Sequence, residues 1–345
     1  MRPGRRQVRR PRVEANGLAN RRNFLRVVGA SLAAVSCAAR AQPGGRPAHI
    51  GYMSVGSLES NGAYLEALKD ALRGLGYVEG SNIVIDVQWA GDNAGLFPEI
   101  AASFVRAHPS AIIGTCIPST RAAKNATTTI PVVMSVDGDP VASGLVMSLA
   151  RPGGNVTGTS TLFEELIPKW LELLNIAVPR IRDIAILTNP DNVADPYFWA
   201  KFQEAAQRLG IKAIKVEANT PDGIDHGVAD MKKRGAGAMV VMTEAFFAAQ
   251  IPRLVGQSEL NRLPAIYGYR EFVQAGGLMS YGLSYREYFK RVARYIDAVL
   301  KGTKPADLPV EQPTKIELAV NLVAAKKLGL TLPQSLLVRA DEVIQ

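Results

Sequence analysis

Between Pro47 and the C-terminus, short apolar runs alternate with amphipathic segments, and this alternation starts twice. The first series runs from a strand at 49–54 to a strand at 131–136, and the second from a helix at 167–175 to a strand at 265–269. Strands that alternate with helices in this order form parallel sheets with helices on both faces. The sequence therefore predicts an α/β protein of two doubly wound, Rossmann-like lobes.

The last part of the chain is too short to form a third domain. A strand at 278–281, an amphipathic helix at 285–300 and a proline-rich segment at 304–313 must complete the two earlier sheets, because one helix and one strand cannot bury a core of their own. The chain then crosses between the lobes three times, which predicts a three-strand hinge. The predicted N-terminal lobe is 48–158 plus 278–311, and the predicted C-terminal lobe is 159–277 plus 312–345.

Residues 1–41 have the parts of an export signal. Arg21 and Arg22 precede an apolar run at 27–38 and an A-x-A pattern at 39–41. This arrangement resembles the twin-arginine signal, so we expect cleavage before Gln42 and a periplasmic protein. Lipid attachment at Cys37 is the alternative.

The net charge of +9 belongs to the same segment, which holds ten arginines and a single acid. Residues 42–345 contain 30 basic and 30 acidic side chains. Such a balance gives no electrostatic basis for binding nucleic acid. A transcription repressor of the same two-lobed fold would also carry a helix-turn-helix where this chain has an export signal.

No motif predicts catalysis or a bound cofactor. The three His and two Cys have no metal-ligand spacing, and the chain lacks the G-x-S-x-G, G-x-G-x-x-G and phosphate-loop patterns. The Gly-rich run at 151–158 is predicted to be a turn leading into a hinge strand. We therefore expect a binding protein without metal or cofactor, and not an enzyme.

Polar side chains that follow the predicted strands are the candidates for solute binding. Open α/β sheets bind ligands at the carboxyl ends of their strands, where helix N-termini offer unpaired N–H groups. The candidates in the first lobe are Ser57, Thr115, Ser119, Thr120, Asp137 and Asp139. Those in the second are Asn189 and Glu244, with Phe246, Tyr269 and Tyr281 as aromatic candidates near strand ends. Helix capping, turns or core packing remain the alternative for each residue.

The two lobes suggest different chemistry. Ser119 and Thr120 are predicted to begin a helix, so a ligand carboxylate would bind there. An ammonium group would need Asp137, Asp139 or Glu244. An amino acid or a related carboxylate is the solute class that we expect.

Several runs of sequence resemble a bacterial family of periplasmic substrate-binding proteins of ABC importers. They are HIGYMSVGSLES, LRGLGYVEGSNIVID, ARPGGNVTG, REFVQAGGLMSYG, KGTKPADLPVEQPTKIELAVNLVAAKKLGL and LLVRADEVI. The family includes tryptophan- and tyrosine-binding members. The resemblance implies a type I periplasmic-binding fold, a monomer, and delivery of a small solute to permease and ATPase subunits. A periplasmic ligand sensor of a receptor kinase is the alternative, and an enzyme with a site in the cleft is a further one.

Overall fold

The computed structural model describes residues 47–345, apart from 92, 162, 193 and 314. The side chains of 136 and 137 are also outside the description. The predicted export signal, its cleavage before Gln42 and the lipid alternative at Cys37 therefore all lie outside the described residues.

The first lobe is built on a five-stranded parallel sheet. Its strands are β1 (Ala48–Ser54), β2 (Ile83–Trp89), β3 (Ala111–Gly114), β4 (Val132–Asp137) and β5 (Val156–Thr161). They lie in the order β2-β1-β3-β4-β5, and every pair runs parallel. Each connection between parallel strands carries a helix or a long loop across a face of the sheet.

Three helices connect strands β1 to β4. They are α1 (Leu58–Gly74), α2 (Phe97–Ala107) and α3 (Ile117–Ala126). Ser57 caps α1, and its side chain accepts a hydrogen bond from the N–H of Ser60. α3 begins at Ile117 after Cys116, two residues before the predicted start at Ser119. The proline at the second position of α3 accounts for the earlier start, because its fixed φ suits the first turn of a helix.

The second lobe is built on a seven-stranded sheet. Its strands are β6 (Asp183–Thr188), β7 (Lys212–Glu217), β8 (Ala238–Val241), β9 (Ala265–Tyr269), β10 (Met279–Leu283), β11 (Glu317–Asn321) and β12 (Glu342–Ile344). They lie in the order β12-β11-β10-β9-β8-β6-β7. Only the β10–β11 pair is antiparallel among the strands described. Between β10 and β11 the chain passes through the other lobe, so β11 enters the second sheet from that side and runs antiparallel to β10.

The helices of the second lobe cover both faces of this sheet. They are α4 (Ile167–Ala177), α5 (Asp195–Arg208), α6 (Pro221–Lys233), α7 (Ala245–Ala249), α8 (Ile251–Leu260), α9 (Arg270–Gln274), α11 (Leu322–Lys327) and α12 (Gln334–Leu337). Trp170 of α4 is fully buried, and its Nε1–H donates to the carbonyl oxygen of Tyr281 at 2.7 Å. The α/β architecture with two mainly parallel sheets is the predicted one.

Three segments connect the two sheets. The first follows β5 through a short 3₁₀ helix (Phe163–Leu166), the second lies between β10 and α10 (Tyr285–Leu300), and the third leads into β11. α10 packs on α1 of the first lobe. β10 pairs with β9 and β11, however, so the chain leaves the second sheet after Leu283 and not at the predicted boundary of 278.

The two lobes also touch beside the cleft. α1 of the first lobe packs against α7 of the second. Tyr64 on α1 and Tyr269 at the end of β9 are hydrogen-bonded through their hydroxyls. The ring of Tyr269 also meets Phe163 edge-on, with the ring centroids 5.3 Å apart. Aromatic packing and one polar contact therefore hold the lobes together next to the connecting segments.

Candidate functional site

A cleft of about 820 Å³ lies between the lobes. Its walls come from the loops and first helical turns that follow β1, β3, β4 and β5 of the first sheet and β6, β7 and β8 of the second. All seven strands point their carboxyl ends at this space, which is where open parallel sheets bind ligands. The volume falls within the range of small-molecule sites.

The first lobe lines the cleft with neutral polar groups. Thr115 follows β3, and its hydroxyl donates to the carbonyl oxygen of Met53 at 3.1 Å and to Ser54 Oγ at 2.9 Å. Asn61 donates through Nδ2 to the carbonyl oxygen of Val55 at 3.0 Å. These contacts hold the loops after β1 and β3 together next to the N-terminus of α1. Hydroxyl, amide and backbone groups are therefore what this wall offers to a ligand.

The N-terminus of α3 also faces the cleft. Cys116, Ile117 and Pro118 are part of the lining. Ser119 holds the turn, since its Oγ accepts from the N–H of Cys116 at 3.1 Å and donates to the carbonyl oxygen of Cys116 at 2.9 Å. A helix N-terminus carries partial positive charge and suits an anionic ligand group.

The second lobe contributes a buried carboxylate. Glu244 directly precedes α7 and is 8% exposed. Asn189 donates through Nδ2 to both of its carboxylate oxygens, at 3.1 and 3.2 Å, and Asn192 donates to Oε2 at 3.0 Å. Burial raises the pKa of Glu244 to about 7, although the hydrogen bonds from the two amides act in the opposite direction.

Four further carboxylates line the cleft. Asp139 is exposed and accepts from the N–H groups of the turn that it begins. Glu165 pairs with Lys201 at 3.1 Å, Asp191 accepts from Asn219 Nδ2 at 3.0 Å, and Glu164 is buried. The described lining of the cleft includes no Lys, Arg or His. Four of the five carboxylates thus lie on the side of the second lobe, and Asp139 is the one that the first lobe contributes.

The structure brings four of the predicted residues together in the cleft lining, namely Thr115, Asp139, Asn189 and Glu244. The backbone of Asp137 ends β4, and its side chain lies outside the described residues. Whether any of these residues contacts a ligand remains a prediction.

The other predicted residues lie elsewhere. Ser57 is an exposed cap of α1, and Ser119 and Thr120 are fully buried within α3, since that helix begins before them. Thr120 Oγ1 occupies the space that a side chain on Gly114 would need. Phe246 and Tyr269 are buried in the core and Tyr281 is half-buried, and none of the three is part of the described lining.

Sequence reasoning missed several residues of the lining. Tyr64 lies within α1 and not at a strand end, and Glu164 lies in the 3₁₀ helix after β5. Asn192 follows the predicted Asn189 by three residues and could have been found by extending that loop. Polar residues late in a strand–helix loop are thus as informative as those next to the strand.

Two other features of the described residues bear on function. Among them, no cluster of three or more His, Cys, Asp or Glu side chains could hold a metal ion. None of the helices in this part of the chain has the length and apolar character needed to span a bilayer.

Two doubly wound lobes, three connecting segments and a cleft of ligand size define a type I periplasmic-binding fold. The model of the family described as ABC transporter substrate binding protein matches residues 55–344, and the chain belongs to this family. Membership implies a small-molecule solute and the components of an ABC transporter as partners. It also agrees with the prediction of a binding protein over an enzyme.

Individual relatives cover most of the chain. A protein named tyrosine-binding protein from Clostridioides difficile (strain R20291) is 28% identical over 267 residues, which are 77% of this chain and 75% of the relative. A crystal structure of a conserved domain protein from Vibrio cholerae has a TM-score of 0.69 at 27% identity and covers 86% of this chain and all of its own. The structure of an ABC domain in complex with L-Trp from Streptococcus pneumonia has a TM-score of 0.67 at 26% identity, again over 86% of this chain and all of that one. The predicted family and fold are confirmed.

Proposed function

We propose that this protein is exported to the periplasm, captures an amino acid in the cleft and delivers it to the permease of an ABC importer. The observation that carries the proposal is the charge pattern of the cleft. Its described lining holds five carboxylates and no basic residue. Four of them lie on the side of the second lobe, and the wall of the first lobe offers hydroxyls, amides and the N-terminus of α3 beside Asp139. A ligand with one cationic and one anionic group matches both walls.

The pattern also gives an orientation to the ligand. Its carboxylate would lie against the N-terminus of α3 and the hydroxyl of Thr115, and its ammonium group against the acidic side of the second lobe. Tyr64, Tyr197 and Phe198 also line the cleft and supply aromatic surface for a ring. The relatives named for tyrosine or solved with L-Trp support an aromatic amino acid as the first candidate.

Calorimetric titration of the purified protein with the common L-amino acids tests the proposal. Tyramine, which lacks the carboxylate of tyrosine, and 3-(4-hydroxyphenyl)propionate, which lacks the ammonium group, serve as matched ligands. Each lost charge-assisted hydrogen bond weakens binding by about 1.5–3 kcal/mol, or roughly 10- to 150-fold. Binding of both analogues as tightly as the parent amino acid would refute the zwitterion hypothesis, and no binding of any amino acid would refute the proposed ligand class.

A pair of variants tests the location of the site. Thr115→Val removes a hydroxyl from the cleft wall, whereas Ser57→Ala removes one from an exposed helix cap outside the described lining. We expect Thr115→Val to weaken amino-acid binding by about fivefold or more and Ser57→Ala to leave it unchanged. Equal effects of the two variants on affinity would contradict the assignment of the site.

Export is tested by separate substitutions. Replacing Arg21 and Arg22 by Lys should leave the precursor in the cytoplasm if the twin-arginine route is used. N-terminal sequencing of the mature protein should begin at Gln42, and a lipid on Cys37 would overturn that cleavage site. Delivery is tested by uptake of the labelled amino acid in cells with and without the gene, since a protein that feeds an importer is required for uptake at low solute concentration.

A further inference from the structure

Glu244 has only neutral hydrogen-bond partners among the described residues. Its donors are the side-chain amides of Asn189 and Asn192 and the backbone N–H of Phe247. No Lys, Arg or His of the described chain forms an ion pair with it, although it is among the most buried carboxylates of the protein. An ionised carboxylate in such surroundings costs several kcal/mol unless a cation or a proton compensates its charge.

The elements around Glu244 add negative and not positive charge. The loop after β6 presents Asp191, the 3₁₀ helix after β5 presents Glu164 and Glu165, and the first lobe presents Asp139 across the cleft. The uncharged titratable groups that line the same cleft are Tyr64, Cys116 and Tyr197.

Basic side chains of the second lobe are already engaged with other acids. Lys201 pairs with Glu165 at 3.1 Å, and Lys215 pairs with Asp195 at 2.7 Å and also with Glu217. Arg253 on α8 pairs with Asp225 at 2.7 Å. The cation that would compensate Glu244 must therefore come from outside this part of the chain.

Burial in this setting raises the pKa of Glu244 to about 7, with the nearby charge of Asp191 acting in the same direction. Without a ligand the group is thus about half protonated near pH 7 and mostly protonated below it. An ammonium group placed against the carboxylate would stabilise the ionised form instead, because opposite charges at close range lower the pKa of an acid. Proton and ligand then compete for the same oxygen atoms.

We propose that Glu244 is the cation-binding group of the cleft, and that it gives up a proton when the ammonium group of the ligand binds. This inference rests on the proposed function, because it assigns the ammonium end of an amino acid to Glu244. The O–H bond of the carboxyl group breaks, its proton passes to the buffer, and the ammonium group keeps all its protons while it donates to the carboxylate. The ligand class is a primary or secondary ammonium compound, and a neutral amide analogue is excluded.

The proton step makes affinity depend on pH in a defined direction. Above pH 7 the carboxylate is ready for the cation, so affinity reaches a plateau. Below pH 7 the proton must first leave, and affinity falls about tenfold for each unit of pH. The apparent dissociation constant should therefore be about 10 times larger at pH 6 than at pH 8 and about 100 times larger at pH 5.

Calorimetric titration with L-tryptophan and L-tyrosine at pH 5, 6, 7 and 8 tests the inference. At each pH the titration is run in two buffers of different ionisation enthalpy, which counts the protons released. The wild-type protein should release about 0.9 proton at pH 6 and about 0.1 at pH 8. These measurements require no variant, so a substitution that fails to fold cannot obscure them.

Two variants assign the proton to a residue. Glu244→Gln should bind more weakly than the wild type at pH 8 and should lose the pH dependence and the proton release. Glu204→Gln is the control, since Glu204 is an exposed residue of α5 that pairs with Arg208 and lies outside the described lining, and it should keep both. Binding of an amino acid with a pH-independent affinity, or a proton release that persists in Glu244→Gln, overturns the inference and leaves the proposed function intact. Failure of every amino acid to bind at every pH overturns both.

Discussion

Replacing Glu244 by Gln in the ligand-free protein measures how much the buried carboxylate lowers the free energy of unfolding. The substitution nearly preserves shape and leaves one oxygen to accept from Asn189 or Asn192. It removes the ionisable group. Because the measurement uses no ligand, its result does not depend on which solute the protein captures.

The magnitude follows from the pKa of Glu244, which rises from its ordinary value of 4.5 to about 7 in the folded protein. Between these values the folded state binds more protons than the unfolded state, so the free energy of unfolding decreases as the pH rises from about 4.5 to about 7. The loss is complete above pH 7 and amounts to about 3 kcal/mol, at about 1.4 kcal/mol per pKa unit. Gln carries no such penalty. The NH₂ group of Gln would, however, face the NH₂ group of Asn189 or Asn192, and two donors cannot form a hydrogen bond with each other. The gain in the free energy of unfolding is therefore at most about 3 kcal/mol.

Urea denaturation of both proteins at pH 5 and pH 8 is the assay. Relative to the wild type, Glu244→Gln should gain up to about 2.5 kcal/mol more at pH 8 than at pH 5, because a small part of the loss has already occurred at pH 5. Glu165→Gln is the control, because its partly exposed pair with Lys201 contributes about 1 kcal/mol or less. If Glu244→Gln changes stability equally at both pH values, burial does not perturb this carboxylate and the reasoning fails.

Further predictions concern the fold and access to the cleft. Gly158 has a φ of +133°, and a side chain there would overlap the carbonyl oxygen of Met134. Gly158→Ala should therefore destabilise the protein by roughly 1–3 kcal/mol or more in urea denaturation. Gly154→Ala is the control and should be nearly neutral, because no atom lies within 4 Å of the added carbon. Trp170→Phe should cost about 1–3 kcal/mol in the same assay, since the hydrogen bond from the buried indole to the carbonyl oxygen of Tyr281 is lost. In protein that begins at Gln42, Cys116 is the only cysteine, and it lines the cleft. A bound amino acid should therefore slow the alkylation of Cys116 by iodoacetamide. An unchanged alkylation rate at saturation would place the ligand elsewhere.

Sequence periodicity predicts the secondary structure well because most strands are buried on both faces. The predicted strand at 265–269 coincides with β9, and the predicted helix at 285–300 coincides with α10. Continuous apolar runs and apolar stripes are strong signals in such a fold. Which sheet a strand joins is not encoded in its own pattern, so the pairing of β10 with the second sheet could not be predicted.

The local start of a helix decides which polar residues reach the cleft. Ser119 and Thr120 look like N-cap residues, and hydroxyls at that position would face the ligand. Pro118 instead fixes the start of α3 at Ile117, so both hydroxyls turn into the lobe. The proline was the better signal, since proline favours the first turn of a helix. A helix that starts two residues earlier than predicted thus turns Ser119 and Thr120 from the cleft into the core of the lobe.

The aromatic candidates show the limit of reasoning from strand ends. Phe246 and Tyr269 lie where strands end, as predicted, yet both are buried in the core. A sequence pattern places a residue along the chain, but the direction of its side chain depends on the partner lobe. Tyr64 lines the cleft from the middle of an amphipathic helix, because the two lobes meet along that helix.

The acidity of the cleft could not be predicted from composition either. Residues 42–345 are neutral overall, and the carboxylates of the cleft come from loops that lie up to about a hundred residues apart in sequence. Folding gathers them because all the strands end at one place, while of the nearby lysines Lys201 pairs with one cleft carboxylate, Glu165, and Lys215 pairs with Asp195 outside the described lining. The charge of a binding site is therefore a property of topology. Under the proposal that Glu244 binds the ammonium group, a relative with the same fold and overall composition would select a ligand of different charge by exchanging that single loop residue.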